Sequence, residues 1–132
     1  MDLPRSPRIH RPTSTPDPAL DCAHGDFHAA NLTHDATLLD WEGWGLAPRG
    51  YDIAMLYAYA QLAPKTAAHI RREFAPLLDS AIGQTALLVV CAELLQSASR
   101  GDHPELTPKL RALVEECATL IADSGSVHSQ AL

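Results

Sequence analysis

Lysine is almost missing from this chain: Lys65 and Lys109 are the only two among 132 residues. Acids outnumber Lys and Arg by 16 to 10, for a net charge of −6 with His neutral. A nucleic-acid binder needs a basic face, so that class is set aside. Cysteine is scarce as well. Cys22, Cys91 and Cys117 are odd in number and show no C-x-x-C spacing. That argues against a disulfide framework, and Cys91 and Cys117, in apolar helical patterns, are expected as buried free thiols. Long apolar runs are also absent. The longest, residues 86–92, is too short to span a bilayer, and no apolar leader opens the chain. No membrane contact is expected, and a reducing cytoplasm suits the thiols. No internal repeat occurs.

What is present is one domain's worth of ordinary globular composition, 46% hydrophobic and 20% charged. Residues 1–18 carry five prolines with Arg5, Arg8 and Arg11, and are expected as a disordered arm. Residues 19–123 form the folded part, and 124–132 a loose tail. Within the folded part, 19–23 is read as a short strand. Residues 31–34 and 37–39 are read as a hairpin turning at Asp35-Ala36. Gly43, Gly45, Pro48 and Gly50 mark a loop. Four helices follow: 51–62, one opened by Pro64 with Phe74 on its inner face, 82–98, and one from Thr107. The fold class expected is mainly α with one small β-hairpin.

The chemistry concentrates in His24-Gly25-Asp26-Phe27-His28-Ala29-Ala30-Asn31 and in Leu39-Asp40-Trp41-Glu42. An acid, an amide five residues on, and a second acid after a short apolar run suit chemistry on a metal-bound phosphate. One carboxylate takes the proton of an attacking hydroxyl. The amide oxygen and the other carboxylate hold Mg²⁺, which asks for few protein ligands.

These segments resemble the aminoglycoside phosphotransferase and choline kinase-like family, relatives of the protein kinases. Its catalytic loop, His-Gly-Asp-x-x-x-x-Asn, is present in full. Leu39-Asp40-Trp41-Glu42 is similar to its metal-binding segment, and Tyr51-Asp52-Ile53-Ala54 to the start of its next helix. The resemblance implies a partial kinase-like C-terminal lobe, with the N-terminal ATP lobe expected to be absent. It implies ATP- and Mg²⁺-dependent (or Mn²⁺-dependent) phosphate transfer to a small-molecule hydroxyl. By the same resemblance Asp26 is the catalytic base, Asn31 and Asp40 the metal ligands, and His24 and Asp52 the residues that orient the loop. His28 and Glu42 are candidates to touch phosphate or substrate. The acid excess is compatible with a cationic acceptor. No nucleotide-lobe Lys is found, because Lys65 and Lys109 both follow the catalytic loop.

Two other readings stand beside this one. Cys22, His24, Asp26, His28 and His34 form a dense ligand set for a zinc hydrolase, though in no recognised zinc spacing. A non-catalytic fragment or binding module is the other, with its exposed half-lobe face available for self-association.

Overall fold

The computed structural model describes residues 20–129, with side chains through Gly125. The arm expected at 1–18 lies outside the described residues. Strands β1 (Leu20–Ala23) and β2 (Gly45–Pro48) pair antiparallel, Ala23 opposite Gly45 and Leu20 opposite Pro48. Five helices follow: α1 (Tyr51–Tyr59), α2 (Pro64–Glu73), α3 (Ala75–Leu78), α4 (Ala81–Ala98) and α5 (Thr107–Ser129). The class is mainly α with one small antiparallel sheet, as expected.

The strand pair is not the one expected. Residues 31–34 and 37–39 meet in a single bridge, Leu32 with Leu38. Both ends leave the extended conformation too soon for a ladder. Asn31 closes a 3₁₀ turn (Ala29–Asn31), and Asp40 is left-handed at φ 57°. Between them Thr33 N–H donates to Thr37 O across a tight loop with Ala36 at φ 63°. Gly45–Pro48, expected as loop, supplies the real partner of β1. Pro48 ends that strand, where its missing N–H costs least.

Helix α4 is the centre. One core cluster joins Ala54, Met55 and Ala58 of α1, Ala86, Leu87, Val90 and Cys91 of α4, and Leu110, Leu113 and Cys117 of α5. Ser80 caps α4, its Oγ accepting from Gly83 N–H at 3.0 Å. Gly83 lets α4 press on α3, since a Cβ there would lie 1.8 Å from Leu77 O. Gly101, at φ 100°, ends the turn that follows α4. By length and composition α4 could cross a membrane, although its apolar core run is only seven residues. Its buried face against α1, α3 and α5 accounts for that apolarity by packing.

As Pro76 leads one to expect, helix α2 ends early, at Glu73, and Pro76 falls in the first turn of the separate α3. Two details depart from the sequence reading. The break at Phe74 swings that ring outward to 38% exposure. Helix α5 runs through 124–129, where a loose tail was expected. Past Cys117 it outruns the core, so Leu120 and Ile121 are exposed rather than packed.

Candidate active site

The excursion between β1 and β2 carries every sequence-predicted site residue except Asp52. His24 is 3% exposed and fixed at both ring nitrogens. Its Nδ1 accepts from Asp26 N–H at 3.1 Å, so Nε2 carries the proton and donates to Leu39 O at 2.7 Å. One imidazole thus ties the loop at Asp26 to the segment just before Asp40. Trp41 packs edge-on against the same ring, centroids 4.6 Å apart.

Asp52 sits in the first turn of α1, where a carboxylate is favoured by the helix dipole. Its two oxygens accept from His24 N–H (2.8 Å) and Gly25 N–H (3.1 Å). Tyr51, beside it, donates its hydroxyl to Glu93 of α4. Burial and then the Glu93 carboxylate push the Tyr51 phenol well above its usual range. The first turn of α1 is therefore pinned to the core on one side and to the loop on the other.

Gly25 is required by two observations. Its φ is 92°, a region that side chains disfavour, and a Cβ would lie 2.3 Å from Gly43 O. The loop that carries Gly25 and the 3₁₀ turn Trp41–Gly43 can approach this closely only through a glycine.

Asp26 is held by its neighbours while remaining open. Asn31 Nδ2 donates to Asp26 O at 2.9 Å and to Oδ2 at 3.2 Å. His28 Nε2 lies 3.2 Å from Oδ1. The Asp26 side chain is still 44% exposed. A carboxylate has about four lone-pair positions, so one donor and a neighbouring imidazole leave room for a further proton donor.

With Nδ2 facing two oxygens of Asp26, the amide orientation of Asn31 is set and, among the described residues, Oδ1 is left over. Asp40 is exposed and, among the described residues, carries no hydrogen bond or ion pair. Leu39 N–H donates to Asn31 O at 2.7 Å, which ties the two segments one residue from Asp40. Two uncommitted oxygen donors on linked segments are the chemistry a hard cation such as Mg²⁺ accepts. Glu42 lies exposed in the adjoining 3₁₀ turn.

The zinc arrangement does not form. Among the described residues no three His, Cys, Asp or Glu side chains gather as a metal site. Both nitrogens of His24 are spent within the protein, and Cys22 and His34 are exposed.

Tyr59 and His103 were not anticipated. Tyr59, in the last turn of α1, packs its ring 4.9 Å from that of His28 and 5.5 Å from that of His103. They lie 31 and 75 residues along the chain from His28, so only tertiary packing brings the three rings together.

The model of the phosphotransferase enzyme family matches residues 10–94. No curated protein and no solved structure matches the chain.

Proposed function

We propose, from the premise that this chain belongs to the phosphotransferase enzyme family, that it holds the base and metal side of an ATP-dependent phosphate transfer to a small-molecule hydroxyl. The observation that carries the reading is Asp26: exposed, oriented by Asn31 and His28, on a loop braced by Asp52. As the hydroxyl oxygen bonds to phosphorus, its proton passes to Asp26 and the bond to the nucleotide's leaving oxygen breaks. Asn31 Oδ1 and the Asp40 carboxylate would hold Mg²⁺ or Mn²⁺, which when bound neutralises charge on the phosphates. His24 and Asp52 do no chemistry and fix the loop. Glu42 suits substrate or a second ion, and Nδ1 of His28 is the atom it has left for substrate. The acid excess favours a cationic acceptor.

Lys65 and Lys109 lie in α2 and α5, and no lysine is among the residues that build this site. A phosphate clamp is therefore missing from the described site. Losing one preorganised donor typically costs a hundred- to thousand-fold in rate, about 3–4 kcal/mol. Turnover of ATP by this chain with aminoglycosides, choline or homoserine is thus expected near blank for wild type and Asp26→Asn alike. Rates of an ordinary kinase that Asp26→Asn abolishes would overturn the incomplete clamp. ATP binding is expected only with Mn²⁺ and to be lost in Asp40→Ala. Binding of ATP without metal would overturn the phosphotransferase reading itself.

A further inference from the structure

We infer that Tyr59 is a positioning residue for Asp26, acting through His28. The inference rests on the reading of Asp26 as the base, but its test does not need turnover.

The argument starts from what Asp26 lacks. Among the described residues, Asn31 holds one carboxylate oxygen, and the other meets only His28 Nε2. The rotamer of Asp26 is thus set by where the His28 ring stands. His28 lies just before the short turn Ala29–Asn31, at extended φ −141°, and its ring makes no cap bond to that turn. Asn31 Nδ2 reaches His28 Nε2 only at 3.5 Å and is already spent on Asp26. Among the described residues, what remains to fix the ring is Tyr59, whose plane is tilted 55° to it.

Tyr59 is itself held from behind. It is half-buried at the end of α1, and His103 meets its ring edge-on at 88°. His103 stands at left-handed φ 46° ahead of the turn Pro104–Leu106, whose Leu106 is fully buried in the core. The line runs core, His103, Tyr59, His28, Asp26. It carries the rigidity of the α4–α5 connection to a carboxylate on an otherwise open loop. Burial, followed by the nearby Asp26 and Asp102 charges, pushes the Tyr59 phenol up, which agrees with its place beside the base. Orientation of a reacting group to within a fraction of an ångström is what such packing supplies.

The contacts predict a signature. His28 Nε2 lies 3.2 Å from Asp26 Oδ1, so a ring held in this place is expected to keep its proton on Nε2, the nitrogen that faces the carboxylate. His24 is held by Leu39 O and Asp26 N–H, and its ring packs against Trp41, whereas Tyr59 packs against His28 and His103. Long-range ¹H–¹⁵N spectra of the histidines, taken at a pH where free imidazole is neutral, read both rings at once. In wild type both are expected as single tautomers with well-separated nitrogen shifts. Tyr59→Phe keeps the ring and should keep the His28 signature. Tyr59→Ala should collapse the His28 separation towards that of free imidazole and leave His24 unchanged. If Tyr59→Ala does not fold, seen as loss of the His24 signature, His103→Ala decides, since that side chain is exposed. It should narrow the His28 separation partway. An unchanged His28 in a folded Tyr59→Ala, or in His103→Ala where that variant decides, would overturn the inference. So would a wild-type His28 already averaged between tautomers.

Discussion

Replacing Asp52 by Ala removes the acceptor of two backbone N–H groups at once, those of His24 and Gly25. Net hydrogen bonds to a charged group contribute about 1.5–3 kcal/mol each. The loop is only partly buried, so water can replace some of that, and the lower end applies: about 3 kcal/mol for the pair. The loss should be local, because the core cluster of α1, α4 and α5 does not pass through the loop. Amide hydrogen exchange reads it directly. At 1.36 kcal/mol per decade, exchange at His24 and Gly25 should speed about a hundredfold. Buried α4 amides should keep their order of protection. Asp52→Asn retains one acceptor oxygen and should fall about midway. Unchanged exchange at His24 and Gly25 in Asp52→Ala would show that the loop stands without this brace. An equal increase at every amide would show that Asp52 serves the whole fold instead.

Gly25→Ala should destabilise by at least about 1–3 kcal/mol from its left-handed backbone alone, in urea unfolding, with more from the Gly43 contact; wild-type stability would refute the close approach. Cys91, whose thiol burial pushes from 9.0 up to about 12, should resist alkylation near neutral pH while exposed Cys22 reacts. Because its folded value is raised, Cys91 contributes stability that is whole below pH 9 and falls as pH climbs towards 12, and Cys91→Ala should flatten that fall in urea titrations. Exposed Leu32, Leu39, Trp41, Trp44 and Leu46 surround the site segments, so sedimentation should show self-association that Trp41→Ser with Leu46→Ser reduces; an unassociated wild-type chain at high concentration would count against that face as an interface.

Legibility followed chain distance. Asp26 and Asn31 stand five residues apart, and the family resemblance picked out both as site residues, though not the hydrogen bonds between them. Helix starts were also local: Pro64 and Pro108 fall in the first turns of α2 and α5, where a missing N–H costs nothing. The sheet was harder. β1 pairs with a segment beyond the whole site, and Gly45-Leu46-Ala47-Pro48 has the composition of a loop. The end of α5 misled for the opposite reason. Ser124 and Gly125 favour turns, yet Ser124 turns its hydroxyl back to Leu120 O at 2.9 Å and the helix continues. Tyr59 and His103 left no signal at all, because what they do depends on three rings meeting across α1 and the α4–α5 connection.

The central claim is that Asn31 and Asp40 together form the cation site beside Asp26. Titration with Mn²⁺, following amide line broadening residue by residue, tests it most directly. With so few protein ligands the affinity should be modest, and the broadening should centre on Asn31 and Asp40 and disappear in Asp40→Ala. Broadening centred elsewhere, or none at millimolar Mn²⁺, would contradict it.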